Sequence, residues 1–161
     1  MNNKIYQLSI KRIFTYNEFI KSINDQLKNK SCNKCDSFYI DIIDLMLKEN
    51  LYEMSSIIQH AFLSYYSHNQ YNKIELILDL LSKIEYKSDY LSGLGIIPIA
   101  CLSSSNIYDI KWMALECIEQ FQDYDYINIL KNIDFINKDL NEYKNEIIED
   151  LIENQNVKGY K

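Results

Sequence analysis

Cys32 and Cys35 have the C-x-x-C spacing of half a zinc or redox site. A structural zinc ion takes four thiolate or imidazole ligands. The chain has only two histidines, His60 and His68, and their separation does not match a zinc finger. A thioredoxin-like use of the cysteine pair needs a βαβ context, and nothing around it reads as strand. The pair is expected as two thiols in a Lys/Asn-rich loop, with no metal and no cofactor. Cys101 and Cys117 fall at apolar helix positions and read as small buried hydrophobes. Neither histidine is marked as the partner of a nucleophilic cysteine. Gly93-x-Gly95 is too short for a phosphate-binding loop and precedes Pro98. Adjacent carboxylates such as Glu149-Asp150 read as solvated surface. The expectation is that the chain is not an enzyme.

The chemistry that remains is recognition. Residues 1–90 carry 11 basic and 11 acidic side chains, whereas residues 91–161 carry 6 and 12, so the formal charge of −6 lies in the C-terminal part. At about 100° per residue, a helix over 107–121 places Ile110, Ala114, Cys117, Ile118 and Phe121 on one face. Asp109, Trp112, Glu116, Glu119 and Asp123 fall on the other, so the only tryptophan stands among four carboxylates. A helix starting at Lys138 turns Leu140, Tyr143, Ile147 and Leu151 inward. Asp139, Glu142, Glu146, Glu149, Asp150 and Glu153 then share an outer sector, flanked by Tyr108, Tyr124 and Tyr126. Aromatic side chains supply desolvated anchors, and carboxylates steer and pair with Lys or Arg. The candidate contact residues are Asp109, Trp112, Glu116, Glu119, Asp123, Tyr124 and Asp125, with Glu142, Glu146 and Glu149 steering. Against this, an amphipathic helix needs a solvated face, and Trp112 could pack on a neighbouring helix. Nucleic acid is disfavoured, because phosphates would meet a negative field.

These side chains must be positioned by helices. With 161 residues, 3 glycines and 1 proline, the chain lacks the turn residues that strand-rich folds consume. Ile and Tyr recur at helical spacing, and the predicted class is all-α. The helices are expected over Asn17–Asn29, Asp36–Asn50, Leu51–Ser67, Asn72–Ile84, a broken region through Gly93, Gly95 and Pro98, then Ile107–Phe121, Tyr124–Ile133 and Lys138–Asn154. That makes about seven to eight helices, paired by short connectors into stacked hairpins or an irregular bundle. Residues 1–161 are expected as a single helical domain, with 1–14 an extended arm or short helix and 155–161 a frayed tail. No window approaches a membrane span, and no signal peptide is evident. A cytoplasmic location is expected.

Pro98 to Phe121, PIACLSSSNIYDIKWMALECIEQF, resembles one HEAT-type helical repeat: a short helix around a proline, a polar turn, then a helix opening on Asp and a basic residue. A second hint is that Lys111, Leu115, Glu116 and Ile118 align with Lys144, Ile148, Glu149 and Leu151 after a shift of one repeat. HEAT-like stacks are binding scaffolds. In size, helicity and charge the chain also resembles the broad class of bacterial immunity proteins paired with polymorphic or contact-dependent growth-inhibition toxins. That resemblance implies a protein partner, a cognate toxin domain with a basic cleft of the kind nucleases carry. The alternatives are a HEAT-like adaptor that holds a cellular protein without inhibiting it, and a metal- or redox-responsive regulator using Cys32 and Cys35.

Overall fold

The computed structural model describes residues 14–28, 34–85 and 93–159. Among them are eight helices and no strand, so the fold is all-α. The arm over 1–13, the loop with Cys32 and the segment 86–92 lie outside the described residues. The chain divides at Leu94/Gly95 into two compact units.

Unit 1 holds α1 (Tyr16–Lys28), α2 (Ser37–Glu49), α3 (Leu51–Ser67) and α4 (Tyr71–Lys83). Thr15-x-x-Glu18 starts α1 as a capping box. The Glu18 carboxylate accepts the Thr15 amide at 2.8 Å, and the Glu18 amide reaches the Thr15 hydroxyl at 3.3 Å. Asp36 caps α2 by accepting the Phe38 N–H. Asn50 ends α2 and caps α3 through the Glu53 N–H, so one residue makes the whole connection.

The core of unit 1 comes from Phe19 and Ile23 of α1, Ile58, Ala61 and Phe62 of α3, and Ile74, Ile77 and Leu81 of α4. Helix α1 lies against α3 and α4, while α2 packs on α3. The inward face of α2 is displaced by one residue from expectation. Tyr39, Ile43, Met46 and Leu47 are buried, and Phe38 is 59% exposed. The run SFYIDIIDLML is apolar at two overlapping stripes, and Tyr39 decides between them because its hydroxyl meets Ser22 Oγ of α1 at 2.9 Å.

A buried carboxylate fastens the start of α2. Asp79, on α4, accepts the Cys35 N–H at 2.7 Å and holds Lys83 Nζ at 2.6 Å. The Cys35 thiol is buried and donates to the Leu76 carbonyl at 3.4 Å. Cys35 is thus committed to packing, whereas His60 and His68 are exposed on and just after α3.

Unit 2 holds α5 (Ile96–Ser104), α6 (Tyr108–Phe121), α7 (Tyr126–Lys131) and α8 (Lys138–Gly159). Gly93 and Gly95 belong to the turn before α5, and Pro98 sits in its first turn. There the missing N–H has no helical acceptor to lose, so the cluster of breakers starts a helix instead of kinking one. Helix α5 packs against α6, and α8 closes over α6 and α7. Ile110, Ala114, Cys117, Ile118 and Phe121 are all buried, as their spacing requires. Helix α6 ends at Gln122, a non-glycine residue at φ 53°. Helix α8 runs to Gly159, through residues expected as a frayed tail; no breaker stands between Leu151 and that glycine. Tyr126, expected beside the acidic surface, is instead fully buried and donates to the Gly95 carbonyl at 3.2 Å. None of the helices among the described residues is long and apolar enough to cross a membrane.

Candidate functional site

Helix α6 presents Trp112, Glu116 and Glu119 in one line, at spacings of four and three residues that share a face. Helix α8 answers with Tyr143. The indole of Trp112 stacks on the Tyr143 ring with centroids 4.6 Å apart and planes 23° apart, and Tyr108 stacks on the indole at 5.9 Å. Trp112 donates its Nε1–H to Glu116 Oε1 at 3.1 Å. The Tyr143 hydroxyl donates to Glu119 Oε2 at 2.6 Å. Trp112 therefore belongs to the seam between α6 and α8 and is half-buried, not free on the outer face.

The electrostatics converge on one atom. Burial pushes the Tyr143 hydroxyl well above the usual tyrosine range, its bond to Glu119 pushes it further, and the negative charges of Glu119, Glu116 and Glu146 act in the same direction. Two carboxylates from α6 and one from α8 thus meet around a phenol. Among the described residues no Lys or Arg forms an ion pair with any of the three. Each of the α6 carboxylates uses one oxygen to hold an aromatic donor, which fixes the group in place.

The other candidates do not all join this centre. Asp109 is exposed in the first turn of α6, while Asp123 follows its last turn. At 1.5 Å per residue these lie about 20 Å apart, so the acidic residues form a strip, not a point. Asp123 Oδ1 accepts the Asp125 N–H at 2.9 Å and so shapes the turn before α7. Tyr124 is half-buried in that turn and Asp125 is exposed. Glu142 is paired with Lys138 at 3.0 Å, an exposed i,i+4 contact. Glu149 is exposed one turn beyond Glu146.

Two residues of weight were not singled out by the sequence. Tyr143 was read only as core, yet it is the hub. Its signal was a polar-tipped aromatic bordered by Glu142 and Glu146, which can bury its ring and present its hydroxyl. Lys144 interrupts the apolar stripe Leu140, Ile147, Ile148, Leu151 and is 5% exposed. Its Nζ donates to the Ile133 carbonyl at 2.6 Å and lies 3.6 Å from Asp134. A lysine in a core stripe was itself the signal. Comparison with protein-family models, with curated proteins and with solved structures gave no match to this chain.

Proposed function

We propose that the chain is a protein-binding inhibitor of the immunity type, which neutralises a cognate bacterial toxin in the cytoplasm by covering a basic surface. One observation carries this reading. Glu116, Glu119 and Glu146 gather around Tyr143 with no cation among the described residues to balance them. Like charges at close range are costly unless something pays them back, and an arriving Arg or Lys does so. The half-exposed Trp112 and Tyr108 beside them offer a planar apolar surface on which a guanidinium can stack. The strip along α6 and the carboxylates of α8 would steer a basic partner and discriminate against acidic ones.

The test separates contact from folding. Trp112 braces two helices, so its removal would confuse the two. Glu116→Gln with Glu146→Lys alters the charge without touching the aromatic stack. Tagged wild-type chain is used to capture partners from its native host at low salt, and the variant is compared with it. The expected result is one basic partner whose activity disappears on binding, with affinity falling more than about 100-fold in the variant and the melting temperature unchanged. Normal binding by the variant would remove the site. Several partners released by mild salt would replace the inhibitor with an adaptor.

A further inference from the structure

A second surface of unit 2 is built with unusual care. The segment from Ile133 to Asn137 joins α7 to α8 and is pinned by side chains of α8 and its cap. Lys144 holds the Ile133 carbonyl at 2.6 Å and stands 3.6 Å from Asp134. Asn141 grips Phe135 twice: its Oδ1 accepts the Phe135 N–H at 3.0 Å, and its amide donates to the Phe135 carbonyl. Asn137 Oδ1 caps the helix through the Leu140 N–H at 3.1 Å. Phe135 is turned inward and is 7% exposed, yet the next residue, Ile136, is fully exposed at 108%. A single exposed apolar side chain needs no explanation. An isoleucine held out on a connection so thoroughly fastened is different, because a fixed anchor loses little freedom on binding.

Beside Ile136 lies an open depression of about 390 Å³, lined by Tyr108, Lys111, Phe135 and Leu140 and edged by Asn106 and Asn137. Lys111 Nζ stands 5.1 Å above the Phe135 ring, and the Asp134 carboxylate projects at the rim with 98% exposure. The patch therefore carries an apolar knob next to an apolar hollow, and a cation next to an exposed carboxylate. A surface with both halves of each contact side by side is complementary to itself, which is the requirement of a two-fold interface.

We propose that two copies of the chain associate through this patch. Ile136 of each copy enters the hollow of the other, and Lys111 of each faces Asp134 of the other. The contact uses none of the carboxylates of the inhibitor site. It is small, so the association is weak, in the range of about 10–100 µM.

Sedimentation of the full chain from about 5 to 500 µM tests this. A reversible monomer–dimer equilibrium is expected. Ile136→Lys changes an exposed side chain, so the monomer keeps its circular dichroism while dimer affinity falls about 30-fold. Lys111→Glu weakens the dimer about fivefold, and Lys111→Glu combined with Asp134→Lys restores it. A chain that stays monomeric at the highest concentration overturns the proposal, as does a dimer indifferent to Ile136→Lys. Growth beyond dimers would also overturn it, because a two-fold contact closes on itself. None of these results bears on whether Glu116 and Glu146 bind a basic protein.

Discussion

Replacing Trp112 and Tyr143 by leucine, singly and together, measures the seam on which the candidate site rests. Both rings are half-buried, so each truncation loses part of a large apolar surface, about 1–1.5 kcal/mol. Tyr143→Leu also removes the 2.6 Å bond to the Glu119 carboxylate; with water able to reach Glu119, that adds about 0.5–1 kcal/mol. Each single variant should therefore lose about 2 kcal/mol. The rings stack 4.6 Å apart at 23°, and such pairs are coupled by about 1 kcal/mol beyond the area they bury. The double variant should lose about 3 kcal/mol, clearly less than the sum of the singles. Urea unfolding followed by far-ultraviolet circular dichroism gives all three values, since the indole signal disappears with Trp112. Additivity within about 0.3 kcal/mol would mean the rings do not support each other, and the placement of Glu116 and Glu119 would lose its footing. Tyr143→Phe serves as the control: it keeps the stack and should lose only the hydroxyl contribution.

In unit 1, Asp79→Ala strips the Cys35 N–H and Lys83 of their shared acceptor. With Lys83 39% exposed the ion pair itself contributes little, and the loss should be about 2–3 kcal/mol, mainly from the orphaned amide; Asp79→Asn, which keeps an acceptor, should lose about half as much in the same urea assay. High pH should destabilise the chain. Burial pushes Tyr65 up to about 12 from 10.0 and raises Tyr39 and Tyr143 as well. A phenol raised in the folded state contributes stability that is intact below pH 10 and lost as pH climbs from 10 towards 12. The urea midpoint should hold from pH 7 to about 9.5 and then fall, and an unchanged midpoint at pH 11 would contradict the burial of these hydroxyls. Lys144→Met keeps the stem in the core but frees the Ile133 carbonyl. Amide exchange of Phe135 and its neighbours should quicken at least tenfold while the core of α6 stays protected; no change there would mean Lys144 does not fasten the connection.

Helical class and most boundaries were legible because apolar spacing and caps agree. Leu51–Ser67 is bracketed by Asn50 and by His68-Asn69, and α3 occupies those residues. Periodicity failed where it was degenerate. On α2 the apolar residues form two stripes, and only the distant Ser22 hydroxyl selects the one through Tyr39. The site shows the same limit. The spacing of Trp112, Glu116 and Glu119 placed them on one line of α6, but which helix that line meets is a tertiary fact. An amphipathic wheel has an inside and an outside; it has no category for a seam, and both Trp112 and Tyr143 occupy one. Tyr126 was misplaced for a related reason, since its partner is the backbone of Gly95, which no side-chain pattern encodes. Asp79 pairs legibly with Lys83 four residues on, yet its bond to Cys35 spans 44 positions.

The division at Leu94 has a consequence for how the chain comes into being. Every helix of unit 1 finds its partners within the first 94 residues, through contacts mostly between neighbours in sequence. Helical units of that connectivity fold in microseconds to milliseconds. At about 5–20 residues per second, a ribosome needs several seconds to deliver the residues of unit 2. Unit 1 can complete its core while most of unit 2, including the whole acidic strip, is still unmade. A chain stopped after Leu94 should then show cooperative thermal unfolding of its own; one that lacks helical signal would show that the first unit waits for the second.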